Sequence, residues 1–491
     1  MMWEGFQIAL SSMNLLYLLF GTLVGLVVGA LPALGPMFSV SLMLPLTYGM
    51  PPATAIIFLA SIQAATAYGD SIASILINTP GGGGSIPACW DGYPMTQQGK
   101  SGVALGISAF SSFFGGFLGW VAMVLISPIL VFAALRIGPP EMFMIMLIAL
   151  SLLAVAAKGN TIKGMIVACV GLLFSFIGMD QMTGSVRFTW GSLYLEDGLP
   201  LIPVVVGLFA LSQTIKLAEE GGTIARVAKL TGGAWSGFMA AIRRPLTLTR
   251  GGLVGVWLGV LPALGISSAS IVAYLVEKRA SREPDSFGKG NPAGLVAPEV
   301  AKNACVVGDL IPTFTLGIPG SPTTAIFLAA MVLHGLKPGA DFFSKGPLPY
   351  TVFAGILLSQ FAFFIVGMLV IRWLARIVLI PNSLLVPGII ILTFVGAYAV
   401  RYRMADVLIM IFFGIVGYLI QKFDYPPACL VLGFVLGDLV ESNFQRTEMM
   451  YDSIFIIFHR PIALGLFIAM VISLGWPWIG PFLKGTMKRK P

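Results

Sequence analysis

Charged residues are scarce in this chain of 491 residues, making up 10% of it, while 57% is hydrophobic. Soluble domains carry about 25% charged residues, so the composition excludes an ordinary soluble fold and indicates a bilayer as the solvent. Many apolar runs reach the roughly 20 residues that a spanning helix needs. We therefore predict an all-α, polytopic membrane protein of about 11–12 spanning helices with re-entrant or broken helical hairpins, because helices satisfy their own backbone groups in hydrocarbon.

Lysine and arginine are absent from the first 99 residues. A cleavable signal peptide begins with a basic segment, so we expect none and interpret the first apolar stretch as a span. The formal charge of +8 comes from loops and the C-terminal tail. It is typical of a membrane-topology signal and not of a nucleic-acid patch, and we expect no nucleic-acid partner.

The residues of common enzyme motifs are also missing. The four cysteines are far apart and form no CxxC pair, the two histidines lie in no HExxH pattern, and there is no GxSxG elbow. The sequence thus argues against an enzyme and predicts no catalytic residue and no cofactor. We expect no metal ion other than Na⁺, which is a candidate coupling ion.

Glycine and proline, in contrast, interrupt the apolar sequence at matching places in the two halves. The stretch LPALG occurs at 31–35 and again at 261–265. A Gly-Asp pair follows later in each half, and a short apolar run then ends in Pro-Gly; Asp70 precedes Pro80 by 10 positions, as Asp309 precedes Pro319. Internal repeats with interrupted hydrophobic segments are typical of secondary transporters.

These matches define four segments. We predict a first transmembrane repeat over 1–217, a cytoplasmic connector over 218–250, a second repeat over 251–444, and an extra span with a basic cytoplasmic tail over 445–491. The Lys/Arg bias places the connector inside. The repeats are inverted or parallel. We favour inversion, because the extra span then returns the basic tail to the cytoplasm, although several basic loops of the second half would lie outside.

The two Pro-Gly loops predict one substrate site formed by both halves. Broken helices offer N–H groups and the positive end of a helix dipole, which bind anions without a basic side chain. The alternative is a flexible surface loop with nothing bound. The predicted substrate residues are Asn78, Thr79, Pro80, Gly81, Gly82, Gly83, Gly84, Ser85, Thr313, Thr315, Gly317, Pro319, Gly320, Ser321, Thr323 and Thr324.

A second set of residues predicts ion coupling. Intramembrane carboxylates are functional hypotheses by default, and unwound carbonyls and hydroxyls bind Na⁺ in broken-helix transporters. The alternatives are that the carboxylates cap helix N-termini and that the LPALG prolines only kink their helices. The candidates are Pro32, Gly35, Ser39, Ser41, Asp70, Pro262, Gly265, Ser267, Ser268 and Asp309.

Nearly the whole chain resembles the large membrane subunit of the tripartite tricarboxylate transporters, the TctA family. The most specific matches are VGALPALGPMFSVSLMLPLTYGM, ILINTPGG with WDGYPMTQQGKSGVAL, and REPDSFGKGNPAGLVAPEVAKNA continuing into IPTFTLGIPGSPTTAIFLAAMVLHGLKPG. The chain departs from the family where Asp70 and Asp309 replace small residues and where Gly82 replaces a glutamate. These differences argue against transferring citrate as the substrate.

The resemblance implies a bacterial inner-membrane permease driven by a Na⁺ or H⁺ gradient. It implies two partners, a small four-helix membrane subunit and a periplasmic solute-binding protein, and a substrate that is an organic carboxylate. It also implies paired helical hairpins and an elevator mechanism. Whether the chain forms a homo-oligomer is left open. The rival hypothesis is a passive channel or an exporter of organic anions on the same fold.

Overall fold

The structure is a computed structural model that describes residues 1–156, 161–180, 182–220, 231–261 and 264–487. These residues are predominantly helical, with one short two-stranded ribbon, so the prediction of an all-α polytopic membrane protein is confirmed. Pro262, residues 221–230 of the predicted connector and the last four residues of the basic tail lie outside the described residues.

The helices follow one another with short connections. In chain order they are Met2–Ala9 (α1), Ser12–Ala30 (α2), Pro36–Met43 (α3), Pro52–Ile77 (α4), Ile86–Gln97 (α5), Ser101–Ala134 (α6), Pro139–Ala156 (α7), Thr161–Ser175 (α8), Leu193–Glu196 (α9), Leu201–Val205 (α10), Ser212–Glu220 (α11), Ala234–Ile242 (α12), Pro245–Val260 (α13), Gly265–Ala280 (α14), Pro292–Gly308 (α15), Leu310–Leu316 (α16), Pro322–Leu333 (α17), Ala340–Phe343 (α18), Leu348–Ile377 (α19), Asn382–Arg401 (α20), Met404–Lys422 (α21), Pro427–Tyr451 (α22) and Pro461–Met487 (α23).

Smaller elements complete the chain. A π-helical segment, Val206–Leu211, joins α10 to α11. Short 3₁₀ turns lie at Leu44–Thr47, Gly83–Ser85, Pro284–Ser286 and Ile454–His459. The strands Gly178–Met179 (β1) and Val186–Arg187 (β2) pair antiparallel in the polar loop after α8.

Eight of the described helices are long and apolar enough to cross a membrane, and five further apolar helices are shorter. The eight are α2, α4, α6, the continuous helix through α10 and α11, and α19 to α22. The predicted total of about 11–12 spans requires some of the shorter helices to cross as well. That total stays a prediction.

Helix α4 is the most enclosed of the eight candidate spans, since its whole apolar window is buried by protein. It packs along α2, and α15 packs in the same way along α13. Glycines permit both contacts: a β-carbon on Gly25 would come within 2.6 Å of the Ile62 carbonyl oxygen, and one on Gly255 would collide with the Ala301 carbonyl oxygen. The two halves therefore repeat a helix pair in which backbones touch directly.

The two halves also interlock. Helix α19 of the second half packs against α4 and α1, and α6 of the first half packs against α15 and α12. Each buried central helix is thus covered by the long helix of the other half. The remaining helices form outer groups, in which α22 packs on α7 and α8, α23 packs on α7, and α21 packs on the π-helical segment.

Proline and glycine end these central helices where the sequence predicts breaks. The chain is unwound between Ala30 and Pro36, and α4 ends at Asn78, which adopts left-handed backbone angles with φ of 58°. The matching helix α16 ends at Gly317, with φ of 70°. Positive φ is the conformation that glycine and asparagine tolerate best, so these residues permit the sharp exit into each Pro-Gly loop.

The described part of the predicted connector contains α12, which packs on α6, and the start of α13 at Pro245; its cytoplasmic location stays a prediction. The alternative that the carboxylates cap helix N-termini is wrong. Asp70 lies inside α4, and Asp309, although it precedes α16, makes no capping hydrogen bond with its side chain.

Candidate functional site

A cavity of about 530 Å³ lies where the two helix breaks and the two Pro-Gly loops meet. Its walls come from residues 33, 35–38 and 264–268 of the breaks, from Gly81–Gly83 and from Ser321–Thr323. The outer helices close it with residues such as Phe209 and Gln213 and with the chain around Pro426. The cavity is therefore bounded on one side by the interlocked core and on the other by the outer helices.

Several helices begin at this cavity. Helix α3 begins at Pro36, α14 at Gly265, α17 at Pro322 and α22 at Pro427, and all four residues line the wall. A 3₁₀ turn that leads into α5 begins at Gly83, also on the wall. The N-terminal end of a helix carries partial positive charge, so these ends together favour an anion in the space between them.

The side chains on the wall are neutral apart from one carboxylate. Among the described lining residues there is no lysine, arginine or histidine, and Asp309 is the single charged side chain. Neutral hydrogen-bonding groups come from two classes, amides and hydroxyls; they are Gln63, Gln213, Gln421, Ser267, Ser268, Ser321 and Thr323. Such a wall suits a polar anion, because helix ends and neutral donors provide favourable contacts for it.

Ten of the predicted site residues line the cavity. They are Gly35, Gly81, Gly82, Gly83, Gly265, Ser267, Ser268, Asp309, Ser321 and Thr323. Other predicted residues lie away from its wall. They are Pro32, Ser39, Ser41, Asp70, Asn78, Thr79, Pro80, Gly84, Ser85, Thr313, Thr315, Gly317, Pro319, Gly320 and Thr324. Their roles in binding stay predictions.

The predicted residues that do not line the cavity lie away from it for different reasons. Asn78, Thr79 and Pro80 are exposed where the chain leaves α4. Ser39 and Ser41 donate hydrogen bonds to carbonyl oxygens of their own helical turn. Serine and threonine hydroxyls commonly do this inside helices, so sequence proximity to a break does not place such a hydroxyl in a site.

The glycine loop itself is held between protein groups. A β-carbon on Gly83 would collide with the Ser267 hydroxyl, and one on Gly84 would lie 3.0 Å from the Lys302 side chain. Gly82 approaches Gly35 of the first break. The loop brings its backbone to both breaks at once, which supports the packed site over the flexible surface loop.

Asp70 lies beside the cavity in a buried charge cluster that the sequence reasoning missed. The Lys302 ammonium donates to Asp70 Oδ1 at 2.8 Å and lies 3.2 Å from Glu299 Oε2. The hydroxyls of Ser71, Ser108 and Ser112 donate to Glu299. Asp70, Glu299 and Lys302 are at most 1% exposed, so Asp70 already has a cation.

Asp309 has the opposite environment. It is 0% exposed, and neither of its carboxylate oxygens has a hydrogen-bond partner among the described residues. The hydroxyl of Ser321, which lines the same cavity, hydrogen-bonds with Thr324. An unpaired buried charge costs several kcal/mol or more, so this carboxylate needs a cation or a proton.

Lys302 and Glu299 had a sequence signal that we did not use. They stand three residues apart within α15, and most of the buried residues of that helix are apolar. Ionisable residues in a membrane helix pair with one another or mark an ion path. These two charges are therefore a sequence signal for a further charged partner on another helix. The identity of that partner, 232 positions away in α4, depends on the tertiary structure.

Comparisons with known proteins identify the family of this chain. Residues 15–432 match the model of the tripartite tricarboxylate transporter TctA family. The chain belongs to the TctA family. It is 33% identical over 464 residues to an uncharacterised 52.8 kDa protein in the TAR-I ttuC′ 3′ region of Agrobacterium vitis, covering 94% of this chain and 92% of the relative.

A second relative of this TctA-family chain is an uncharacterised protein in the TAR-II ttuC′ 3′ region of the same organism. The two are 36% identical over 223 residues, which is 44% of this chain and 92% of that protein. No solved structure matches the chain. Membership of the family supports a membrane transport protein of a tripartite system, as the resemblance indicated.

Proposed function

We propose that this TctA-family chain is the permease subunit of a binding-protein-dependent secondary transporter that imports an organic carboxylate by cation symport. The observation that carries the proposal is the cavity where helix N-termini from both halves meet beside a buried carboxylate without a partner among the described residues. Helix ends and neutral donors suit an anionic substrate, and the carboxylate requires a metal cation or a proton at the same place.

The partners follow from the family. We propose a small four-helix membrane subunit and a periplasmic solute-binding protein that delivers the carboxylate, in the bacterial inner membrane. Many organic carboxylates fit a cavity of about 530 Å³. Size alone thus leaves the individual substrate undefined.

The position of the cavity supports a mechanism of alternating access. It lies between the interlocked core, which carries both breaks and both loops, and the outer helices with Phe209, Gln213 and Gln421. We propose that the core moves against these outer helices and carries the bound anion across, as in an elevator. The Pro-Gly loops would then remain attached to the moving part.

Transport by the three-component system in proteoliposomes tests the proposal. Uptake of labelled di- and tricarboxylates is measured with the binding protein outside and with an imposed Na⁺ or H⁺ gradient. We expect accumulation that depends on one of the gradients. Uptake that is indifferent to every gradient would establish the passive channel instead.

Replacement of Gly83 by valine locates the binding site in the same assay. The added side chain would enter the cavity wall and collide with Ser267, so we expect uptake to be lost while the protein remains folded. Gly388→Val on α20 is the matched control, since a β-carbon there meets nothing within 4 Å. Equal uptake by the Gly83→Val variant and the control would show that the substrate does not bind in this cavity.

A further inference from the structure

The two halves place different groups at one equivalent position. Lys302 on α15 and Gln63 on α4 are 239 positions apart, as are Asp70 and Asp309. The packing agrees with this alignment: a β-carbon on Gly81 would lie 2.7 Å from Asp70, and one on Gly320 would lie 2.6 Å from Asp309. The pair of Lys302 with Asp70 thus corresponds to the pair of Gln63 with Asp309.

In the first pair the positive charge is part of the protein. The Lys302 ammonium lies 2.8 Å from Asp70 Oδ1, and its other donors reach Ser71 and Glu299. In the second pair the corresponding charge is missing, because glutamine is neutral and one atom shorter than lysine. The geometry predicts a space between Gln63 and Asp309 where the first half holds an ammonium group.

The groups around that space are oxygen acceptors. Asp309 Oδ1, Asp309 Oδ2 and Gln63 Oε1 are buried and have no hydrogen-bond partner among the described residues. Both residues also line the cavity. Hard cations take oxygen ligands, and a metal ion is bound by several such atoms at once, whereas a proton on the carboxylate would provide one donor.

We propose that Asp309 and Gln63 bind one exchangeable Na⁺ at the position that Lys302 occupies permanently in the other half. This inference rests on the proposed function and deepens it, since it names the coupling cation and its site. The chain then has one permanent positive charge, that of Lys302 beside Asp70, and one exchangeable cation, Na⁺ beside Asp309. One Na⁺ site adjoins the substrate cavity.

The residues that complete the Lys302 site have apolar counterparts in the second half. Leu310 stands at the position equivalent to Ser71, and Ala60 at the position equivalent to Glu299. The protein therefore supplies Asp309 and Gln63, and the remaining ligands of the ion come from the cavity side. An oxygen of the bound carboxylate is suitably placed there, so the ion would link Asp309 to the anion.

This arrangement accounts for coupling by charge alone. An anion entering the cavity meets Asp309, and two negative charges in a buried site repel one another strongly. The bound Na⁺ removes that repulsion and attracts the substrate. The carboxylate therefore binds tightly only after the cation, and the bound anion in turn strengthens the binding of the cation.

Binding of ²²Na⁺ to the purified chain tests the site without any carboxylate, in choline chloride at constant ionic strength. We expect saturable binding of one Na⁺ per chain. In Gln63→Lys a tethered ammonium takes the place of the ion, and in Asp309→Asn the charge that holds it is gone. Both variants should lower Na⁺ affinity at least about tenfold, a change of roughly 1.4 kcal/mol.

Gln98→Lys is the charge-matched control, because Gln98 is exposed at the end of α5 and away from the cavity wall. It should bind Na⁺ as the unchanged protein does. Thermal melts confirm that each variant is folded, and Asp309→Asn, which preserves shape, decides the outcome if Gln63→Lys does not fold.

Three results would overturn the proposal. These are a wild-type chain without saturable Na⁺ binding, Na⁺ binding that survives in Asp309→Asn, and proton uptake in place of Na⁺ binding when a carboxylate is added. Because no substrate is needed for the Na⁺ measurement, failure here remains separable from failure of carboxylate transport.

Discussion

At the scale of residues, the buried cluster of Asp70, Glu299 and Lys302 joins the two halves of the protein. Asp70 belongs to α4, and both other residues belong to α15. Each of the three is at most 1% exposed. Desolvation makes such a cluster a weak source of stability as a whole, but loss of one member leaves charge that nothing compensates.

We therefore expect Lys302→Met to destabilise the protein by about 3–5 kcal/mol, since it leaves two buried carboxylates without their cation. The thermal melt of the protein in detergent measures this loss. Asp70→Asn combined with Lys302→Met should recover part of it, because Glu299 keeps its hydroxyl donors.

The matched control is Lys422→Met. Lys422 pairs with Glu219 at 3.4 Å, and both side chains are more than half exposed. Solvent screens exposed ion pairs so that they contribute little to stability, and this variant should therefore melt close to the unchanged protein. If Lys302→Met behaved like the control, the cluster would have no structural role.

At the scale of helices, close backbone packing holds α2 against α4 and α13 against α15. Glycine at this interface allows the backbones to approach, and small residues are the usual means of helix association in membranes. The repeated use of glycine in both halves predicts similar costs when a methyl group is added to either pair.

We expect Gly25→Ala and Gly255→Ala each to lower stability by about 1–3 kcal/mol, as overpacking does in other cores. The added β-carbon would lie 2.6 Å from a carbonyl oxygen at Gly25 and would collide with one at Gly255. Gly388→Ala, on an open face of α20, should show no loss. Melting temperatures that are the same for all three variants would contradict the direct packing of these helices.

At the scale of the whole molecule, each half covers the central helix of the other, α19 on α4 and α6 on α15. Such an exchange is compatible with inverted and with parallel repeats, so the orientation remains a prediction. Two loops at equivalent places distinguish the alternatives: the turn before α4, with Tyr48 54% exposed, and the polar insert before α15, which contains exposed Asp285.

Inversion predicts that Tyr48→Cys and Asp285→Cys react from opposite sides of the membrane. The test uses a chain without its four natural cysteines and a maleimide that does not cross the bilayer, applied to intact cells and to inverted vesicles. Labelling of both positions from the same side would establish parallel repeats.

Much of the architecture was predictable from sequence, because bilayer insertion and helix breaking are local properties. Runs of apolar residues defined helices, and LPALG and Pro-Gly defined their ends at Ala30, Asn78 and Gly317. The recurrence of these signals also placed Asp70 and Asp309 at equivalent positions. The sequence reasoning described 218–250 only as a basic connector and did not specify the helices at Ala234–Ile242 and from Pro245.

The tertiary structure alone decided which equivalent residues have different surroundings. Both carboxylates follow glycine in the sequence, yet Asp70 meets Lys302 across the interface between the halves and Asp309 meets the cavity. Partner choice depends on contacts between helices more than 200 positions apart, which no local pattern encodes. Apolar runs and glycine or proline breaks suffice to predict the helices. The cation that neutralises each carboxylate depends instead on how α4 and α15 pack.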